Sequence, residues 1–553
     1  MTSNVPTAEA GQAQPQQPPI QIGRRIEVDY SRGTVRYLGE VPPTKGEWIG
    51  VEWDGKERGK HSGEHNGTKY FNCLFPGTGS FIRLSSKIQT GNSLLQVLKE
   101  RYVDEEKDAK AALYLGQSNV VVDVYDFERV KGRQSKLHLM EVVGLANTNV
   151  ATASGFDEMQ KACPAIRDLD LSSTLLCTWK DVANICAPLT KLDVLRLNRN
   201  RFQPLTTQPS LEYGFKNIQC LALNRVFMPW DEFELLEPSL PNLRILQIGY
   251  NLFSELGKVD PSVPIASQKV KGFANLENLH LEGNAFTDWN QILRLSRLPK
   301  LESLDLSENK IESILGPQDE DDFKLLTSLR LTDNSLKEWT SIDQLGRYTS
   351  LRTVWIGNNP LTNTASTGEI NTASDPRITA IARMPHIQYL NGSEISKTNR
   401  IDAEIYYLKN VAMTTKGMDP EAVHALHPRF EELCEVHGRP DTGDEYRKAT
   451  SEILKDRLIA ITLVSKDSIE GPAKASFQRN VLGTMTVKNL KNLAQKLLKI
   501  PAIRQELVFL TNDPDYEDVK VNVTLKDDMR QISYYDVSDG EVIMVLNKTK
   551  LKM

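Results

Sequence analysis

Leu276–Phe286 reads LENLHLEGNAF, Leu301–Ile311 reads LESLDLSENKI, Leu326–Leu336 reads LTSLRLTDNSL and Leu351–Leu361 reads LRTVWIGNNPL. All four fit LxxLxLxxNxL, and the same frame holds upstream in IRDLDLSSTLL, LDVLRLNRNRF, IQCLALNRVFM and LRILQIGYNLF. The eight copies begin at residues 166, 192, 218, 243, 276, 301, 326 and 351, so the period is 25 or 26 except for one step of 33. A fixed period of this length means one small structural unit per copy, burying its leucines only against its neighbours. The leucines are therefore structural. The Asn position, filled by Asn200, Asn251, Asn284, Asn309, Asn334 and Asn359, suits an amide that pairs with backbone groups of neighbouring turns. Thr174 and Val226 replace it in the first and third copies, where less regular turns are expected.

The pattern is that of a leucine-rich repeat array, an α/β solenoid with one parallel strand per copy. Function on such an array usually falls on the concave sheet, which the residue between the second and third leucine positions faces. That row is Asp170, Arg196, Ala222, Gln247, His280, Asp305, Arg330 and Trp355, polar, mixed in charge and ending in an exposed aromatic. It suits a protein partner better than a small substrate, with Arg330 and Trp355 the first candidates, although each residue singly is equally well a solvated strand position. Residues 161–415 are assigned to the repeats and a helical C-terminal cap, IQYLNGSEISKTNRIDAEIYYLKNVA. Residues 91–160 form a linker and N-terminal cap, with SLLQVLKERYVDEEKDAK as an amphipathic helix and NVVVDVYDFERV as a strand. The acidic QDEDD at 318–322 reads as a solvated loop.

Towards the N-terminus, residues 22–90 alternate short β-rich segments with glycine and proline turns, which predicts a small antiparallel β-barrel. Lys60 supplies charge for a carboxylate, and Trp48, Phe71 and Phe81 supply flat apolar walls; taken singly, each of these aromatics reads first as core. Together WIGVEWD, GKHSG, YFNC and GSFIR resemble the CAP-Gly domains, which bind acidic C-terminal EEY or EEF ends. The resemblance implies a peptide cleft in which Lys60 and His61 donate to the terminal carboxylates, Trp48, Phe71 and Phe81 line the wall, and Arg83 stands at the edge. Gly59 and Gly63 frame the loop, and Ser62 completes it. The usual loop is GKNDG, so His61 and Ser62 are departures: an imidazole donates only in a suitable tautomer, which makes weaker or pH-sensitive binding the expectation. Residues 1–21, rich in Gln, Pro and Ala, read as a disordered tail with neither a basic start nor an apolar run.

Towards the C-terminus, residues 416–455 read as a helical connector. Within it His424, His427, Cys434 and His437 have spacing reminiscent of zinc ligands, but the segment is helical on either side of Pro428, so they read as helix faces and no metal is assigned. Residues 456–553 give a hairpin (IAITLV, KASFQRNVL), a helix (TVKNLKNLAQKLLKI) and further strands (ELVFLT, EVIMVLN), resembling the β-grasp of ubiquitin-like domains. The chain ends NKTKLKM without Gly-Gly, which fits a docking module.

With 553 residues the chain needs several cores, and Lys+Arg 67 against Asp+Glu 72 gives a net charge of −5. That balance argues against nucleic acid or a membrane surface as partner, and no run of about 18 apolar residues crosses a bilayer. The six cysteines form no framework and read as reduced thiols of a cytoplasmic protein. No GxSxG, GxxxxGK[ST] or HExxH occurs, so neither an enzyme nor a cofactor is expected. The module order resembles the E branch of the tubulin-folding cofactor family. It implies α-tubulin, β-tubulin and other tubulin-folding cofactors as partners, with the proteasome as a further partner of the ubiquitin-like module, and a role in assembling and dissociating the tubulin heterodimer. A proteasome-linked adaptor and a microtubule-end scaffold are the alternatives; the single CAP-Gly module and the lack of a coiled coil weigh against the scaffold.

Overall fold

Three-residue strands built on the second leucine of each repeat, Asp168–Asp170, Val194–Arg196, Cys220–Ala222, Ile245–Gln247, Asn278–His280, Ser303–Asp305, Ser328–Arg330 and Thr353–Trp355, pair in parallel and without slippage. The computed structural model describes residues 17–104, 137–362, 375–440, 458–513, 516–535, 537 and 539–548. Because side chains alternate across a strand, the central residue of each triplet points into the stack. Leu169, Leu195, Leu221, Leu246, Leu279, Leu304, Leu329 and Val354 are all 2 % exposed or less. The first and third residues of every triplet therefore share the opposite face.

The asparagines act as expected. Asn309 Nδ2 donates to the carbonyls of Leu281 and Leu306, both at 3.0 Å, while its Oδ1 accepts from Phe286 N–H at 3.1 Å. Asn200, Asn251, Asn284, Asn334 and Asn359 repeat this, so each turn is tied to the repeat before it. An unmade buried hydrogen bond costs about 1–3 kcal/mol, which explains why the frame tolerates few other residues. Thr174 keeps part of the pattern, its hydroxyl donating to Leu171 carbonyl at 3.1 Å. The long 33-residue step carries an inserted loop whose Lys269 Nζ reaches Asp322 at 3.1 Å. Of the QDEDD segment, residues 318–321 are exposed as read, but Asp322 corrects that reading: it is buried and also accepts from Ser296 Oγ at 2.5 Å, so it clasps two repeats.

The sheet gains Val142–Gly144 at one end and Tyr389–Leu390 with Ser393–Glu394 at the other, making eleven strands. At the first end the helix Leu94–Lys99 buries Leu94, Leu95, Val97 and Leu98 in the repeat core, after strand Asn92–Ser93 pairs with Val150–Thr152. The expected helix continues only as a single wider turn to Asp104; the rest of it, and the strand read at NVVVDVYDFERV, lie outside the described residues. At the other end helix Lys397–Thr414 covers the last repeats. The helices Pro420–Leu426 and Phe430–His437, read as a connector, close on that cap: Arg383 Nη2 donates to Leu426 carbonyl at 3.1 Å, and His437 Nε2 lies 2.8 Å from Glu404 Oε2.

Strands Arg25–Val28, Ser31–Val41, Thr44–Trp53 and Gly79–Ile82 form a four-stranded antiparallel sheet in that order. Among the described residues its two edge strands do not pair with each other, each meeting only an isolated bridge, Glu27 with Gln89 and Gly79 with His61, so the expected barrel is an open sheet over a small core of Ile26, Val28, Val35, Ile49, Val51, Trp53 and Ile88. Most of the segment between Trp53 and Gly79 is loop, too glycine-rich to extend the ladder. Ile20 packs on this core and Gln17 Oε1 accepts from Thr90, so packing begins before the expected end of the tail at residue 21. The sheet is fastened to the repeats: Arg32 donates to the carbonyls of Asn147 at 2.7 Å and of Ser173, and Arg24 faces Asp181 at 3.7 Å.

Ala412–Lys416 with Arg439–Met553 make a second compact unit, the first being Met1–Val411 with Gly417–Gly438. The second holds a five-stranded sheet in which Leu458–Lys466 pairs antiparallel with Ala475–Leu482 and parallel with Val542–Asn547, beside Gln505–Asp513 and Tyr516–Thr524. Thr486 caps the helix Val487–Leu498 by accepting from Asn489 N–H, and Val487, Leu490 and Ala494 turn one face into the core. This is the hairpin-and-helix order read from the sequence.

Candidate functional site

Phe81 stands at the centre of the first unit's aromatic surface, held by the strand Gly79–Ile82. His61, Tyr70, Phe71, Tyr37, His65 and Trp48 surround it at centroid distances from 5.0 to 6.5 Å, most of them edge to face. Tyr37, His65 and Tyr70 were not among the residues picked from the sequence. Tyr37 had a usable signal, since it lies on the strand that pairs with the Trp48 strand. Phe71, expected on the wall, is 7 % exposed and lies beneath Phe81, where only a glycine at position 50 leaves room: a Cβ there would meet Phe71 Cε1 at 2.5 Å. Phe71 is therefore floor. Trp48 is half-buried, its Nε1 donating to Thr44 Oγ1 at 2.9 Å. Arg83 lies over its ring at 3.9 Å and donates to the carbonyls of Lys45 and Glu47, so it braces the rim.

The Gly59–Gly63 loop is pinned against the strand end. Lys60 and His61 N–H both donate to Gly79 carbonyl, at 2.8 and 3.1 Å, and Gly79 N–H returns a bond to His61 carbonyl at 2.8 Å. The backbone donors are thus turned inward, leaving side chains to face a ligand. Gly63 takes φ +93, and a Cβ there would fall 2.0 Å from Phe71 carbonyl, so no other residue fits. His61 Nδ1 accepts from Gly63 N–H at 3.0 Å, which fixes the neutral imidazole with its proton on Nε2. Burial, helped by His65 and Lys60, holds the imidazole below the ordinary histidine range. One acceptor used within the loop and one N–H left on Nε2 are the two functions an asparagine amide also carries. Ser62 Oγ accepts from Gly77 N–H at 3.0 Å, tying this loop to the next turn. Lys60 is exposed beside the cluster.

On the repeat sheet, Asp170, Arg196, Ala222, Gln247, His280, Asp305, Arg330 and Trp355 do form one row in register. Its charges are less available than the sequence suggested. Arg196 pairs with Asp168 in the neighbouring row, and Arg330 Nε approaches Asp305 at 4.0 Å. Trp355, expected to be exposed, is half-buried because Arg330 lies over its ring at 4.3 Å. Midway along, His280, Glu282 and Asp305 bring ligand atoms within 4.8 Å of one another. Burial and the neighbouring carboxylates Asp305 and Glu308 raise the Glu282 pKa, so this is a concentrated acidic spot. Asp168 stands in the second outward row that the strand period creates, at the first position of its triplet, and Glu282 lies two residues beyond its triplet, so the single row read from the sequence holds neither.

The structure does not gather the zinc-spaced residues. His427 Nδ1 lies 2.8 Å from Tyr407 Oη and 3.1 Å from Arg383 Nη2, His437 engages Glu404, and His424 is exposed. Two open hollows, of about 480 Å³ beside Trp179 and Pro209 and about 700 Å³ beside Tyr30 and Arg101, lie away from the Phe81 cluster. No helix among the described residues is long and apolar enough to cross a membrane.

A family model for the CAP-Gly domain matches residues 22–87. Over 536 residues, 94% of this chain and 98% of the relative, the sequence is 32% identical to tubulin-specific chaperone E of Xenopus laevis. It is 30% identical over 542 residues to the Homo sapiens protein of the same name, covering 95% of this chain and 98% of that one. Among solved structures, the C-terminal ubiquitin-like domain of mouse tubulin-specific chaperone e aligns at 20% identity over 16% of this chain and 87% of that one, with a TM-score of 0.14.

Proposed function

This chain belongs to the tubulin-specific chaperone E family, and on that footing we propose that it captures α-tubulin at two places and works with other tubulin-folding cofactors and β-tubulin in assembling and dissociating the heterodimer. The first place is the Phe81 cleft, which takes the acidic C-terminal tail. The second is the outward face of the leucine-rich repeats, an α/β solenoid, which takes the folded body. The chain acts by binding, without catalysis of its own.

The observation that carries this reading is the open aromatic cluster around Phe81 with Lys60 exposed beside it and His61 held on Phe81 with its proton on Nε2. A terminal aromatic fits the ring cluster edge to face, and its carboxylate meets the ammonium and the imidazole N–H, a pairing that a mid-chain residue lacks. The repeat face adds paired charges and Trp355 capped by Arg330, the chemistry of a protein-binding anchor.

Titration of the purified chain with soluble tubulin, intact or lacking the terminal aromatic of α-tubulin, tests the assignment, with Lys60→Glu measured alongside. Loss of the aromatic and Lys60→Glu are each expected to weaken binding about tenfold or more. Equal binding in all cases would remove the cleft from recognition and leave it to the repeats; no binding at all would favour the proteasome-linked adaptor.

A further inference from the structure

The turn Phe75–Thr78 stands between the cleft and the repeats and touches both. Thr78 Oγ1 closes it by donating to Phe75 carbonyl at 2.7 Å. On the cleft side, Gly77 N–H donates to Ser62 Oγ, and Gly59 packs so closely that a Cβ on it would fall 1.9 Å from Gly77 carbonyl. The turn is thus the back of the loop that presents Lys60 and His61. On the repeat side, the Phe75 ring meets the Phe227 ring at 5.0 Å and 77°. Arg201 lies over Phe227 at 4.5 Å, and its Nη1 is held by the carbonyls of Asn200 and Arg225 at 2.9 and 2.7 Å. Phe227 itself is fixed by the asparagine ladder, its N–H donating to Asn251 Oδ1 at 2.7 Å.

We propose that the second and third repeats are the rear support of the peptide cleft, with Phe227 and Arg201 as positioning residues that hold the Phe75–Thr78 turn and, through it, the Gly59–Gly63 loop. The inference rests on the reading of the cleft as the tail-binding site. The backbone bonds to Gly79 hold the front of the Gly59–Gly63 loop and Trp53 N–H holds Thr78 carbonyl at 2.9 Å, so what the repeats add is a side-chain support from behind. Between Trp53 and Gly79 the only strands are the two-residue pair Glu64–His65 and Thr68–Lys69, and every residue of Glu64–Lys69 is exposed. Segments with few buried contacts open readily unless something outside them fixes their geometry. An aromatic pair of the Phe75–Phe227 kind is what the repeats contribute, so the cleft is completed by a part of the chain about 150 residues further on.

The test uses the full chain and two measurements. Amide exchange is followed over residues 59–63 and 75–79 and over the strands Cys220–Ala222 and Ile245–Gln247; fluorescence anisotropy follows an acidic peptide ending in Glu-Glu-Tyr with a free carboxylate. Phe227→Ala is expected to speed exchange at both loops and raise the peptide Kd roughly 3- to 10-fold while the two strands keep their protection. Phe227→Tyr is expected to restore both. Unchanged exchange at the loops, or acceleration that spreads through the strands, overturns the proposal. A wild-type chain that ignores the peptide, or Lys60→Glu binding it as the wild type does, overturns the reading of the cleft instead; exchange at Gly77 that still depends on Phe227 would then uphold the mechanical link alone.

Discussion

His61 shows how much a single side chain can preserve when its type changes. With Nδ1 accepting from Gly63 N–H and Nε2 protonated, the imidazole offers one acceptor and one donor, the pair that an asparagine amide also carries. His61→Asn should therefore keep peptide affinity within about threefold, whereas His61→Ala, which leaves Gly63 N–H unpaired and removes the Nε2 donor, should weaken it about tenfold. Peptide anisotropy on the three proteins decides the matter; equal losses in both variants would mean that ring stacking on Phe81, not the donor and acceptor pair, is what His61 supplies. The sequence made Lys60, Gly59 and Gly63 legible because the GKHSG spacing is local. It misplaced Phe71, since nothing in a string distinguishes a wall residue from a floor residue one ring deeper.

Elements were legible in proportion to their periodicity. The repeat strands and the helix Val487–Leu498 follow from leucine spacing, whereas the helices Pro420–Leu426 and Phe430–His437 looked like a connector because their contacts are with Arg383, Glu404 and Tyr407, far from them in sequence. His427 in that pair carries a pH signature. Burial, reinforced by the Arg383 charge, pushes its pKa down to about 4. Between that value and the ordinary 6.5 the folded cap holds fewer protons than the unfolded chain, so stability rises with pH across the window. The contribution is complete above pH 6.5 and drains as the pH falls towards 4. Amide exchange over residues 420–437 should consequently show cap opening favoured by up to one proton's worth of pH dependence in this range, and His427→Gln should flatten it. A wild-type cap whose opening is independent of pH between 5 and 7 would refute this account.

At the scale of the whole molecule, each module was readable from its own internal pattern, but the fastening of the first to the second was not. Contacts such as Phe75 with Phe227 and Arg32 with Ser173 join residues about 140 to 150 apart and leave no local trace. That fastening matters for affinity. On the proposed two-site reading, the sites act together through effective concentration: if the tail site alone binds at ~10 µM and the tether gives ~1 mM, losing it costs ~100-fold for tubulin. The same arithmetic applies to the repeat face. Lys60→Glu and Arg330→Glu with Trp355→Ala should each weaken tubulin binding far more than the exposed charges alone would account for, while only Lys60→Glu affects the isolated acidic peptide. Titrating tubulin and peptide against both variants separates the cases. Should the repeat-face variant bind tubulin as the wild type does, the Arg330 and Trp355 end is not where the body rests, and the acidic group of His280, Glu282 and Asp305 becomes the next surface to change.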